Sequence, residues 1–253
     1  MASSSTLPTD TVSTGPKQHS VLVKELIQAG GELFGTFLFI FLAFATIQAS
    51  LPVQGPLFNL FVALGFGVGL LLAIALTYRI SGGVLNPAIT IALAALRLFS
   101  LRKSALYIVA QLLGAMAATG LTSLLFPGPT KGANVIVNPA FTAVQVVFLE
   151  AIATCVLVAS VLFLAVEKSR VTFLAPVFIA LTVFLDHIIL IPIDNASLNP
   201  ARSFAASLTT NTWDSHWIFW VGPILGGLIA AAIYKIFKVA RYEQLNPNQD
   251  ASE

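Results

Sequence analysis

Two stretches decide how this chain is read: Ser81–Thr90, SGGVLNPAIT, and Ser197–Ser203, SLNPARS. Each contains Asn-Pro-Ala, and each triplet opens an apolar run, residues 88–96 and 201–208. A helix needs about 20 apolar residues to cross a bilayer, so neither run can span one. Proline suits the first turn of a helix, where its missing N–H has no partner to lose. Asparagine directly before it is a good N-cap. Both runs are therefore predicted to be half-helices that start at the triplet. Irregular backbone at membrane depth is tolerated only where it lines a cavity or is buried in protein.

The composition requires a membrane. Of 253 residues, 57% are hydrophobic and 9% charged, and mean hydropathy is +0.89. A soluble domain carries about 25% charged residues, so this chain could not cover a water-facing surface. A net charge of +2 gives no reason to expect a nucleic-acid partner. Cys155 is the single cysteine and forms no intrachain disulfide. His19, His187 and His216 are scattered, and no HExxH, GxSxG or Cys-His arrangement occurs, so no enzyme, metal or cofactor is expected.

Six segments are long enough to span: residues 32–49, 58–78, 104–126, 140–166, 172–193 and 217–237. No alternating strand pattern appears, so the spans are helices. Six crossings place Lys17, Lys24, Arg79, Arg97, Arg102, Lys103, Lys168, Arg170, Lys235, Lys238 and Arg241 on one side. Only Lys131 and Arg202 lie on the other. The excess of Lys and Arg predicts that both termini are cytoplasmic. Residues 1–30 are expected to form a disordered tail, residues 31–238 the folded domain, and residues 239–253 a second tail.

The two halves repeat. Glu32 and Thr36 in GELFGTFLF match Glu150 and Thr154 in LEAIATCVL. Asn86 follows Glu32 by 54 residues, and Asn199 follows Glu150 by 49. Gly114 and Gly226 sit at matching places further on. Three crossings are an odd number, so repeats at residues 31–126 and 140–238 must have opposite orientation, the plan of many transport proteins. The fold class is thus an all-α membrane protein of six spans plus two re-entrant half-helices. Glu32 and Glu150 are expected to be buried acceptors for the re-entrant backbone. Asn138 has no partner in the other half; Asn138-Pro139 reads as the N-cap and first-turn proline of the fourth span.

The paired triplets, Arg202 after the second, AQLLGA and HWIFWVGPILGG resemble the aquaporin (major intrinsic protein) family over residues 31–238, and KSRVTFLAPV is similar to fungal members. The resemblance implies a homotetramer in the lipid bilayer with one pore per subunit and water as the permeant. Asn86, Pro87, Ala88, Asn199, Pro200 and Ala201 would form the pore centre, each Asn donating to a passing water while helix N-termini disfavour cations. Phe66, His187, Ala196 and Arg202 would form a filter on the outer side: Arg202 and His187 as donors, Phe66 as apolar wall, the Ala196 carbonyl as acceptor. A His in this place and Ser203 in place of an Asp imply water rather than glycerol. Ala196, where relatives often have a cysteine, implies weak mercury inhibition. Ser104, after Arg102-Lys103, is a candidate phosphorylation site. A broader pore for glycerol, CO₂ or hydrogen peroxide, and a proton-coupled transporter using Glu32, Glu150, Asp186 or Asp194, stay open at this level.

Overall fold

A computed structural model describes residues 19–53, 55–128 and 133–250. The N-terminal tail up to residue 18, with Lys17, and the loop residue Lys131 lie outside the described residues. Among the described residues eight α-helices follow in order: α1 (Val21–Ser50), α2 (Pro56–Thr77), α3 (Pro87–Ala95), α4 (Leu101–Leu125), α5 (Ala143–Val161), α6 (Ala175–Asp194), α7 (Pro200–Thr210) and α8 (Ile218–Val239). A π-turn at Leu162–Val166 extends α5. Six of these segments are long and apolar enough to cross a membrane. The protein is integral to the membrane, and α3 and α7 are the two short helices.

Helix starts follow local chemistry. Ser20 caps α1 and Ser100 caps α4 by accepting from the amides of Val23 (3.4 Å) and Lys103 (3.1 Å). At α5, Thr142 and Gln145 form a reciprocal capping box. Asn138 is therefore not the cap of this helix. Its Oδ1 accepts from Ala140 N (3.0 Å) and its Nδ2 donates to the Pro192 carbonyl (3.1 Å), closing a turn against the end of α6.

Both tails are shorter than the sequence suggests. Residues 21–30 are helical, because Glu25 is drawn into the fold: it is 8% exposed, accepts from Arg102 Nε at 2.6 Å and lies within 3.4 Å of Ser100 Oγ. At the other end, Tyr242–Gln244 and Pro247–Gln249 form 3₁₀ turns. Arg170 N donates to Gln249 O (3.0 Å), tying the C-terminal segment to the α5–α6 connection. Glu167 in that connection accepts from Tyr234 Oη (2.7 Å) and Lys238 Nζ (3.2 Å). Those two hydrogen bonds and the lysine charge hold the Glu167 carboxyl below its ordinary pKa, against a burial effect that alone would raise it.

The long helices pack chiefly as α1 on α4 and α5 on α8, with α2 meeting α6 between the halves. The short helices cross over: α3 packs on α8, and α7 on α4. Each half-helix is thus held by the other repeat. Close approach needs glycine at matching positions. A Cβ on Gly114 would strike the carbonyl of Leu33, and one on Gly226 the carbonyl of Ala151. These carbonyls each follow a buried Glu by one residue, so the glycines set how near α4 and α8 come to Glu32 and Glu150.

Substituting Gly226→Ala should lower detergent-solubilised stability by about 1–3 kcal/mol through forced backbone shifts. Gly120→Ala, where an added Cβ meets nothing within 4 Å, should leave the thermal midpoint unchanged or slightly higher. Thermal unfolding of the two variants side by side checks this.

Candidate functional site

Each re-entrant stretch must turn sharply before its half-helix begins. Leu85 and Leu198, the residues before the two Asn-Pro-Ala triplets, take positive φ of 52° and 57°. Backbone in that state cannot pair with a helix or strand, and its buried amides need other acceptors. Glu32 supplies them in the first repeat, accepting from Val84 N (3.0 Å) and Leu85 N (2.7 Å). Glu150 does so in the second, accepting from Ser197 N (2.6 Å) and Leu198 N (2.8 Å). Both carboxylates have no exposed surface. Gln111 adds a third donor to Glu32 (2.7 Å) and also reaches Thr90 (3.0 Å). The second repeat has Pro223 at the matching place and instead closes a Ser197–Ser203 contact of 2.6 Å.

The two asparagines brace one another's loops. Asn86 Oδ1 accepts from Ala88 N (2.8 Å), and Asn199 Oδ1 accepts from Ala201 N (3.0 Å). Asn86 Nδ2 donates to Leu198 O, and Asn199 Nδ2 donates to Leu85 O, both at 2.8 Å. A side-chain amide carries two N–H groups. One on each Asn crosses to the opposite repeat, and one is left for the cavity that both residues line. Pro87 and Pro200 occupy first-turn positions, and Ala88 and Ala201 are fully buried behind them.

The cavity has a volume of about 550 Å³. Its lining runs from Tyr78, Lys168 and Phe173 past apolar Leu70, Ile74 and Ile179 to Asn86 and Asn199, and on to Phe66, His187 and Arg202. These last three converge. The Phe66 and His187 rings stack with centroids 4.0 Å apart, and the Arg202 guanidinium carbon lies 5.2 Å from the Phe66 centroid.

Arg202 is 1% exposed and forms no ion pair among the described residues; carbonyls hold it instead. Nη1 donates to Ala133 O (2.7 Å) and Nη2 to Asn195 O (3.0 Å). Its Nε has no hydrogen-bond partner among the described residues. Ala196 does not line the cavity; its amide donates to Asp194 Oδ1 (2.9 Å) in the turn ending α6. The acceptor role expected of Ala196 is thus not seen, and Asn195 and Ala133 supply the carbonyls that aim Arg202. His187 also differs from the expectation. Its Nδ1 lies 2.8 Å from the Val183 carbonyl, which can only accept, so Nδ1 carries the proton. In the neutral ring Nε2, which has no partner among the described residues, is then an acceptor and not a donor. Ser104 is 6% exposed and donates to Ser100 O (2.9 Å) in the first turn of α4, so a kinase could reach it only by unwinding that turn.

A layer behind Arg202 went unseen in the sequence. Asn195 Nδ2 donates to Asn134 O (2.9 Å), Ser207 Oγ donates to Asn134 Oδ1 (3.4 Å), and His216 Nδ1 lies 3.0 Å from Ser207 Oγ. Trp220 Nε1 donates to His216 Nε2 (3.0 Å). This chain ties the loop carrying the Ala133 carbonyl to α7 and α8. It needs a neutral His216, and burial does push that imidazole below its ordinary pKa.

An inverted repeat of six apolar spans, with two half-helices meeting at a lined cavity, defines a membrane channel. Comparison with known proteins agrees. Residues 19–234 match the model of the major intrinsic protein family, and the chain belongs to that family. It is 40% identical over 238 residues to a probable aquaporin-3 of Gibberella zeae, covering 90% of this chain and 83% of that one. It is 40% identical to aquaporin-1 of the same fungus, covering 87% and 72%. The fold is similar to that of the aquaglyceroporin from Plasmodium falciparum, with a TM-score of 0.71 and 25% identity over 84% of this chain and 95% of that one. Proteins of this family are channels for water and small solutes, not enzymes.

Two outcomes follow from the geometry. Glu150→Gln keeps one acceptor oxygen and turns an NH₂ toward a backbone amide. It should cost about 1–3 kcal/mol of stability, read as a lower thermal midpoint, and should reduce conduction. The burial-lowered His216 contributes stability that is present above its ordinary value of 6.5 and lost as pH falls below it. The thermal midpoint should therefore drop from pH 7.5 to pH 5.5, and drop less in a His216→Gln variant.

Proposed function

We propose that the protein is a passive, water-selective channel. The observation that carries this reading is the convergence of Phe66, His187 and Arg202 on one end of the cavity that passes Asn86 and Asn199. A water moving along this path meets apolar wall for most of its length and few polar groups, among them Tyr78, Lys168 and Thr172 at one end, the spare N–H of each Asn, the Arg202 Nε–H and the His187 Nε2. Weak, sparse hydrogen bonding allows fast passage. Two helix N-termini and a guanidinium place positive charge along the path, which disfavours cations including hydronium.

Selectivity against glycerol rests on size. His187 stacked on Phe66 fills space that a small residue would leave open, and Ser203, bound to Ser197, adds no charge beside Arg202. The likeness to an aquaglyceroporin supports a second reading, a broader pore for small neutral solutes. A proton-coupled transporter is disfavoured, because Glu32, Glu150, Asp186 and Asp194 all lie off the cavity lining. In this reading the protein is a homotetramer of the plasma membrane with both termini cytoplasmic. Arg79, Arg97, Arg102, Lys103, Lys168, Arg170, Lys235, Lys238 and Arg241 then face the cytoplasm, and Arg202 lies toward the outside.

Stopped-flow light scattering on proteoliposomes tests the proposal. A jump into hyperosmotic glycerol should give shrinkage much faster than in empty vesicles, without accelerated reswelling. Fast reswelling would establish glycerol passage instead. His187→Gly should admit glycerol while keeping water flux. Mercuric chloride should inhibit the wild-type rate only weakly, because the single cysteine, Cys155, does not line the cavity.

A further inference from the structure

We propose that a second cavity, between the end of the first half-helix and the end of α8, binds the phosphorylated headgroup of an anionic phospholipid. The assignment of this face to the cytoplasmic leaflet rests on the orientation proposed above. The cavity measures about 540 Å³, and its lining includes Leu96, Arg97, Leu98, Tyr234, Lys235 and Lys238. Three cations face one space, and no carboxylate among the described residues lines it.

Their present partners differ. Lys238 is engaged, with Glu167 at 3.2 Å and Glu243 at 3.5 Å. The Tyr234 hydroxyl is likewise committed to Glu167. Arg97 and Lys235 are exposed and make no ion pair among the described residues. Two uncompensated cations beside a third form a site for an anion with more than one charged oxygen, and a guanidinium can engage two phosphate oxygens at once.

The backbone at Arg97 is a second pointer. It has φ of 60° and donates its amide to Ala94 O (2.9 Å), closing α3 in the left-handed state. Glycine is the residue that takes this position without strain. An arginine there puts a guanidinium at the cavity despite an unfavourable backbone.

The surroundings favour a lipid over a soluble phosphate. Leu98 is 49% exposed, Leu101 84%, Ile236 67% and Val239 77%. These apolar side chains flank the cations at the ends of membrane-crossing helices, where acyl chains would lie. Basic pockets between spans on the cytoplasmic side suit phosphorylated headgroups, with the phosphate at the charges and the tails along the apolar rim.

Native mass spectrometry of the full chain in detergent tests this, with equimolar dioleoyl phosphatidylinositol 4-phosphate and dioleoyl phosphatidylcholine as probes. Each cation close to an anionic headgroup is worth about a factor of five in binding, so the phosphorylated lipid should be retained at least about tenfold over phosphatidylcholine. The Arg97→Gln/Lys235→Gln double variant should lose that preference. Its water permeability in pure phosphatidylcholine vesicles should equal that of wild type, since neither residue lines the pore. A preference kept by the double variant, or absent from wild type, would overturn the proposal. So would displacement of the lipid by millimolar inorganic phosphate, which would make the ligand a soluble anion. Lipid preference without water flux would uphold this site and count against the water-channel reading alone.

Discussion

Two buried carboxylates, Glu32 and Glu150, make the rest of this structure possible. In hydrocarbon an unpaired backbone amide costs several kcal/mol, and water cannot offset it. The re-entrant loops must leave amides unpaired, because Leu85 and Leu198 adopt left-handed backbone just before the half-helices start. Each carboxylate takes two of those amides at 2.6–3.0 Å. Without these acceptors the loops could not hold their turn at membrane depth, and the half-helices would have no fixed starting point.

From that constraint the centre assembles. Once the loops are held, Asn86 and Asn199 can do two jobs with each side-chain amide. The carbonyl oxygen caps the residue's own half-helix, and one N–H crosses to the other loop's backbone. The crossed hydrogen bonds lock two repeats that the chain connects only through one long loop. Packing reinforces the lock, since α3 rests on α8 and α7 on α4. Gly114 and Gly226 allow the close approach that brings the outer helices against the carboxylate-bearing ones.

The two repeats are not equal, and the difference has a physical basis. The first repeat binds Glu32 to Gln111 and builds only a cap for its half-helix. The second must also position a charge. Arg202 sits buried in no ion pair among the described residues, held by the carbonyls of Ala133 and Asn195. A salt bridge would neutralise the charge; carbonyls hold it in place and leave it able to act on whatever enters the cavity. The network through Asn134, Ser207, His216 and Trp220 keeps those carbonyls aimed.

Much of this was legible in the sequence. Hydropathy showed six spans because a bilayer demands long apolar helices. The paired Asn-Pro-Ala triplets showed two half-helices because N-cap and first-turn proline are local signals. The repeat of Glu32 and Glu150 pointed to their shared role, and Asn138 was separated from the true pair by its place in the repeat. Tertiary structure alone decided the rest. That Ala133 and Asn195, not Ala196, carry the nearest carbonyls depends on how a distant loop lies over α7. That His187 accepts at Nε2 follows from a hydrogen bond to Val183 which spacing cannot reveal. The helical start at Val21 depends on Glu25 meeting Arg102 on another helix, and the gathering of Arg97 with Lys235 and Lys238 on two half-molecules folding together. Hydrophobicity, caps and repeats are properties of neighbouring residues and can be read along the chain. The aim of a carbonyl or the sharing of a charge is set by residues far apart, and exists only once the chain has folded.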